Sequence, residues 1–365
     1  MILAEVLQFL ETIAPAALQE SYDNAGLIIG DPTMEINQAL ICLDSTEEVL
    51  DEAISNGCNL IIAHHPIVFK GLKKITGSNY VERVMIKAIQ NNIAIYAIHT
   101  NLDNVLHGVN LKIAEKLSLE KCKILLPKKN QLKKLVTFSP IANAQDVRQA
   151  LFSADAGQIS NYDECSFNVD GVGTFKGNEN ANPFAGEIGK QHHENETRIE
   201  IIYAAHLENK ILKALFIAHP YEEVAYDIYP LDNLHPNVGA GLVGNLKEEM
   251  DEISFLQIIK KQFNVGCIRH TNLQEKKVKK VAVCGGAGGF LLPQAIQAGA
   301  DFFITADFKY HEFFDAENKI VIADVGHYES EQFTIDLLFD LLSKKYPTFA
   351  LLKTNFNTNP VKYFH

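Results

Sequence analysis

The sequence predicts an α/β protein: a two-part composite core with mostly parallel sheets, interrupted by an inserted ferredoxin-like α+β domain. Three observations carry this expectation. Up to about Leu126, apolar runs such as "QALICLDS", "NLIIAHH" and "IAIYAIHT" show no polar alternation, and each precedes a helical pattern. Strands buried on both faces of a parallel sheet read this way. From "KLVTFSP" to "YDIYPL" the order changes to strand, helix, strand, strand, helix, strand, the ferredoxin-like split motif. After "LHPNVGAGLVGNL" the first style returns. The 365 residues exceed one typical core, and they divide into 1–127, a first core half, 128–236, the insert, and 237–365, the second core half.

The elements follow in order. "MILAEVLQFLETIAP" places Leu3, Val6, Leu7, Leu10 and Ile13 at helical spacing; with Glu5, Glu11 and no basic residue it reads as a helix of the fold and not as a signal peptide. "TEEVLDEAISNG" and "YVERVMIKAIQNN" are helices whose ends are marked by Gly57 and by Asn91-Asn92. "VNLKIAEKLSL" is a third helix, and "PKKNQLKK" (127–134) is linker-like. In the insert, "NAQDVRQALFSA" and "LENKILKALFIA" are the helices, "CSFNVDGVGTFK", "TRIEIIYAA" and "VAYDIYPL" are strands, and "QHHENE" (191–196) is a polar turn. The second half runs from "KKVAVCGGAGG" into the helix "FLLPQAIQAG", then the strands "DFFITAD" and "KIVIADVG", then one long helix, "ESEQFTIDLLFDLLSKKY".

Composition narrows the class. Apolar residues make up 47% and charged residues 21%, as in ordinary globular proteins. A net charge of −12 with a pI near 5.5 argues against nucleic-acid binding by bulk electrostatics. No apolar run approaches the ~20 residues that a membrane span needs. The six cysteines form no CxxC, which points to a reducing, cytoplasmic setting.

Three predicted strands end in metal-capable side chains, and strand carboxyl ends are where open α/β sheets bind ligands. The first end carries His64-His65. The second carries His99, with Asp103 in the following loop. The third ends at Asp324, with His327 and Glu331 on one face of a helix start. Taken singly, an HH pair can be partly exposed coincidence, an HxxxE spacing a surface pair, and Asp103 an Asx turn. Jointly, His64, His65, Asp103, His327 and Glu331 suit two divalent ions better than one. Each adjacent histidine would serve its own ion, Glu331 would bridge, and Zn²⁺, Fe²⁺ and Mn²⁺ all fit the donor set. "CGGAGG" (284–289) reads as a phosphate-binding turn or as close helix packing, and it lacks the G-x-G-x-x-G spacing. "ADFKYHEFFDA" (306–316) offers Lys309, Tyr310 and His311, while Lys70, Lys73, Lys74 and Arg83 could steer an anion.

The pieces "SYDNAGLIIGD", "IIAHHPIVFKG", "AIHTNLDN", "VCGGAGG", "ITADFKYHEFFDA" and "IADVGHYESE" together resemble the NIF-three-like family, the GTP cyclohydrolase I type-two homologs. "ANPFAGEIG" and "AHPYEEVAYDIYPL" resemble the insert of its long bacterial members, so the likeness spans essentially the whole chain. It implies a dinuclear metal centre on His64, His65, Asp103, His327 and Glu331. It also implies a toroidal homohexamer and an insert similar to the PII and CutA proteins. Tyr22 stands where many members carry tryptophan, and "ADFKYHEFFDA" departs from the commoner "GDIKYHDALDA".

The expected activity is metal-dependent hydrolysis, with a hydroxide bridging two ions and attacking a nucleotide or a related substrate. His99 and His311 would move protons, since imidazole titrates near neutral pH, and Lys309 would hold a phosphate. The alternative is a metal- or ligand-binding regulatory or metal-trafficking protein without GTP turnover.

Overall fold

A computed structural model describes residues 1–364. Lys128–Pro236 forms one compact unit, and Met1–Pro127 together with the chain from Asn237 onward forms another. The strands in chain order are β1 (Gly26–Ile29), β2 (Gln38–Cys42), β3 (Leu60–Ala63), β4 (Ala94–Ala97), β5 (Leu119–Pro127), β6 (Leu132–Pro140), β7 (Phe167–Phe175) and β8 (His192–Ala204). They continue with β9 (Tyr226–Leu231), β10 (Gly239–Asp251), β11 (Arg269–His270), β12 (Lys277–Ala287), β13 (Phe302–Ala306), β14 (Val321–Asp324) and β15 (Ala350–Lys353).

The discontinuous unit holds two sheets. The first has the order β1-β4-β3-β2-β15 and is parallel throughout except at β1. The second has the order β11-β14-β13-β12-β10-β5; β12, β13 and β14 run parallel at its centre, and antiparallel strands flank them. Strands are exchanged between the sequence halves. The late strand β15 completes the first sheet, and the early strand β5 closes the second. One continuous core lies between the sheets, where Ile41, Leu60, Ile62 and Tyr96 share a cluster with Val281, Val283, Phe302 and Ile304. Alternate residues of the same strands face outward. Leu40, Cys42, Ile61 and Ala63 pack on Val49, Leu50, Ala53, Val84 and Ala88 of two helices. Both faces are therefore buried, which is why these strands carry no polar alternation.

Capping fixes the flanking helices. Glu47–Ser55 starts at Thr46, whose hydroxyl accepts from the Val49 amide, and Gly57 follows its end with φ +72°. Tyr80–Gln90 starts at Asn79 and is followed by Asn91 and the left-handed Asn92. Two expectations need correction here. The long helix predicted after β14 is two helices, His327–Glu331 and Thr334–Lys345, because the chain breaks step at Gln332-Phe333. The loop expected to hold Asp103 is a helical turn, Thr100–Asp103.

The second unit is an antiparallel sheet of order β7-β8-β6-β9 with two helices, Ala144–Ser153 and Glu208–Ala218, giving the ferredoxin-like strand arrangement. Leu135, Ile199, Ile201 and Tyr203 of the sheet pack on Val147, Leu151, Ile211 and Leu215 of the helices. "QHHENE" is not a turn: His192–Glu196 lie in β8 and pair with Gly171–Phe175.

Candidate metal centre

β3 answers why a buried strand ends in two histidines. Its ladder continues one step past the strand, with the His64 and His65 amides donating to the carbonyls of Cys42 and Leu43. The chain bends there, so the two rings lie only 5.0 Å apart instead of on opposite faces. His64 is fully buried, and its Nδ1 meets the Ile98 carbonyl at 2.8 Å. A carbonyl only accepts, so Nδ1 carries the proton and Nε2 presents a lone pair. That lone pair faces Asp103 Oδ1 at 3.7 Å and Glu331 Oε1 at 3.9 Å. Among the described residues neither His64 Nε2 nor Asp103 Oδ1 has a hydrogen-bond partner, although both are buried.

On the other side of Glu331, Oε2 receives His65 Nε2 at 2.9 Å and His327 Nε2 at 3.0 Å. The structure thus brings all five sequence-predicted ligands together in two sets, His64–Asp103–Glu331 and His65–His327–Glu331, each compact enough to hold a metal ion. The donor set and the two orphaned buried atoms fit a cation, because lone pairs out of reach of water otherwise go unsatisfied.

The electrostatics agree. Burial, reinforced by the charge of Glu331, pushes the Asp103 carboxyl well above the usual carboxylate range. Glu331 goes the other way: burial would raise it, but the imidazoles of His327 and His65 that donate to it hold it well below. Burial likewise lowers His64, leaving it neutral. His65 is raised to about 9 and His327 to about 11. Burial opposes both shifts, and hydrogen bonds to Asp44 and Glu331 in one case, and to Asp307 and Glu331 in the other, outweigh it.

Three orienting carboxylates escaped the sequence reading. Asp44 holds His65 Nδ1 at 2.7 Å, Asp307 holds His327 Nδ1 at 2.7 Å, and Asp23 holds His99 Nδ1 at 2.8 Å. Metal-ligating histidines are commonly oriented in this way. The available signal was position: Asp44 and Asp307 each lie just past a strand's carboxyl end. His99 sits beside the centre, its ring 5.2 Å from His64 and 5.3 Å from His65. A cavity of about 970 Å³ opens onto His65, His99, Asp103, His327 and Glu331.

Three amides of the glycine segment 284–289 are committed to packing contacts. The amides of Gly285, Gly286 and Gly288 already donate to Asn110, Ser330 and Thr305. At Gly286, with φ +62°, an added Cβ would fall 2.3 Å from Glu331 Oε1, so only glycine lets the carboxylate seat there.

A family model described as Duf34/NIF3 (NGG1p interacting factor 3) matches residues 1–360. The chain belongs to the Duf34/NIF3 family. It is similar to a GTP cyclohydrolase 1 type 2 homolog of Halalkalibacterium halodurans, 41% identical over 324 residues, which span 88% of this chain and 87% of that protein. A Bacillus subtilis protein of the same name is 39% identical over 326 residues, 89% of this chain and 87% of its own. The crystal structure of a Bacillus cereus protein related to NIF3 matches with a TM-score of 0.86 at 38% identity, covering 100% of this chain and 99% of that one.

Other predicted residues of this Duf34/NIF3 chain are not brought to the cavity. The turn after β13 carries His311 to the surface, where it packs on Tyr310 and Phe314, and Lys309 is exposed beside it. Neither lines the cavity. Arg83 is committed to Glu47, and of the four basic residues that follow the HH pair only Lys70 reaches the cavity wall. Asp324 is structural, accepting from Arg269 and from the Phe308 amide. No helix among the described residues is long and apolar enough to cross a membrane.

Proposed function

We propose that this chain is a divalent-metal-dependent hydrolase with a two-ion centre. His64 and Asp103 would hold one ion, His65 and His327 the other, and Glu331 would serve both. The observation that carries this reading is the division of Glu331, whose Oε1 faces one set of donors and whose Oε2 faces the other. Zn²⁺, Fe²⁺ and Mn²⁺ all suit the ligands. Such a pair, when bound, supplies Lewis acidity and a water of lowered pKa.

The chain's own residues supply the rest. Asp23 engages His99 Nδ1, which leaves Nε2 to move a proton at the cavity wall. Tyr22, Phe69, Tyr80 and Phe290 line the same cavity and offer apolar faces to a flat heterocycle, with Lys70 available to an anionic tail. These features and the relatives' name support a guanine nucleotide as substrate. Hydrolysis at the imidazole carbon would open the ring, and a second water would release formate. Self-association as a homohexamer belongs to the same proposal and is read by light scattering on the eluting protein.

The test is formate release from GTP by metal-loaded protein, beside the Glu331→Ala variant. Turnover that disappears together with the metal supports the reading. Turnover that survives metal loss contradicts it.

A further inference from the structure

Two segments of the Lys128–Pro236 unit take no part in the chemistry above: "ANPFAGEIG" (181–189) and "AHPYEEVAYD" (218–227). They meet at one place. The amide of Asn182 donates to Glu222 Oε1 at 2.6 Å, which ties the first segment to the second. Beneath them lies the sheet face turned away from the two helices. Leu135, Ile199 and Ile201 point to the helices, so Phe138, Glu196, Arg198, Gly171 and Gly173 point the other way.

Segments and sheet enclose a second cavity, of about 600 Å³. That volume suits a small organic ligand. Its walls are aromatic: Phe175 and Phe184 each stand with ring centroids 6.0 Å from Tyr221, and Phe138 lies across the floor. Glu196 is set among them with only 8% of its surface exposed. Tyr221 donates its hydroxyl to Glu196 Oε1 at 2.7 Å, while Oε2 has no donor among the described residues. The carboxylate lies directly on Gly173, where a Cβ would come within 2.1 Å of Oε2. The site is therefore built around this carboxylate.

Charge and donors narrow the occupant. Asp170, Glu196, Glu222 and Glu223 line the cavity against Lys176 and Arg198, an excess of two negative charges. Arg198 is already engaged, its Nε on Glu200 and its guanidinium over the Phe138 ring. An anion would meet carboxylates. An apolar molecule would leave a buried carboxylate oxygen unsatisfied. A bare metal ion would find aromatic faces where it needs several oxygen ligands. We propose that this cavity binds a small organic cation, an alkylammonium or guanidinium group that donates to Glu196 Oε2 and lies against the faces of Tyr221 and Phe184.

The experiment is isothermal titration of the full chain with agmatine, beside N-butylurea as an uncharged analogue of the alkylguanidinium. Agmatine binds saturably and N-butylurea does not. Glu196→Gln keeps an acceptor for Tyr221 but removes the charge, and weakens agmatine binding by about tenfold or more. Gly171→Val acts independently: an added Cβ there meets nothing within 4 Å, so the side chain grows into the cavity without strain. It weakens agmatine binding by a similar factor while circular dichroism stays that of the wild type. Should one variant fail to fold, the other decides. Absence of saturable agmatine binding at millimolar concentration overturns the proposal, as does binding that both variants retain, or N-butylurea binding as tightly as agmatine.

Discussion

Gly286→Ala perturbs the centre without removing any ligand. The φ of +62° costs a side-chain-bearing residue about 1 kcal/mol by itself. The new Cβ would also stand 2.3 Å from Glu331 Oε1 and 3.2 Å from His327 Cε1. The loop cannot retreat cheaply, because the Gly286 amide donates to Ser330 Oγ at 2.9 Å and its carbonyl accepts from Thr305 Oγ1 at 3.0 Å. Glu331 must therefore swing out of register with both sets of donors. Strain and a displaced buried carboxylate together cost about 1–3 kcal/mol, which lowers the melting temperature by roughly 2–4 °C per kcal/mol in a unit of this size. Calorimetry reads the stability, and elemental analysis of the purified protein reads the metal. The variant is expected to melt several degrees lower and to lose most of its metal. Gly289→Ala, whose added Cβ meets nothing nearer than 3.7 Å, keeps both. A Gly286→Ala protein with wild-type melting and wild-type metal content would refute the argument that this glycine exists to seat Glu331.

Other outcomes follow from the same geometry. Asp23→Asn weakens the hold on His99 Nδ1 and should lower kcat by about tenfold or more while metal content stays unchanged; loss of metal instead would make Asp23 part of the binding site. Without ions, His65 and His327 hold protons through Glu331, Asp44 and Asp307, with values raised to about 9 and about 11, so metal uptake must release protons and strengthen as pH rises. Titrations in buffers of different ionisation enthalpy measure that release, and a zero count would contradict it. The amides of Thr76 and Ser78 and the Thr76 hydroxyl hold Glu82 at about 2, below its ordinary 4.5. This depressed carboxylate contributes stability that is present above pH 4.5 and lost as pH falls toward 2. Urea unfolding at pH 5 and pH 3 should therefore show a smaller acid loss in Glu82→Gln than in the wild type; equal losses would remove Glu82 from the account.

Much of the candidate centre was legible because the residues that form it obey a local rule. His64 and His65 stand immediately beyond strand β3 and His327 three residues beyond the end of β14, and an unalternating apolar run announces each strand's end. Glu331 was readable from i, i+4 spacing alone. What escaped depends on partners distant in sequence. Asp23 lies 76 residues before His99, and nothing local to either announces the pair. The exchange of β5 and β15 between sheets was equally hidden, since the apolar pattern of "ALLK" marks a strand but not its neighbour. His311 lies away from the cavity for the opposite reason. It too follows a strand end, yet the turn at Tyr310–Ala316 folds outward and packs its aromatic rings on one another. In the second unit, "QHHENE" looked like a turn because a two-sided polar strand shows no apolar periodicity.

The number of ions that His64, His65, Asp103, His327 and Glu331 bind is open to direct measurement. Elemental analysis of the full chain, purified without chelator and compared with Glu331→Gln, measures it. The division of Glu331 between two donor sets predicts two ions per chain, with both greatly depleted in the variant. One ion per chain, or a variant that keeps both, would contradict the shared carboxylate on which the account depends.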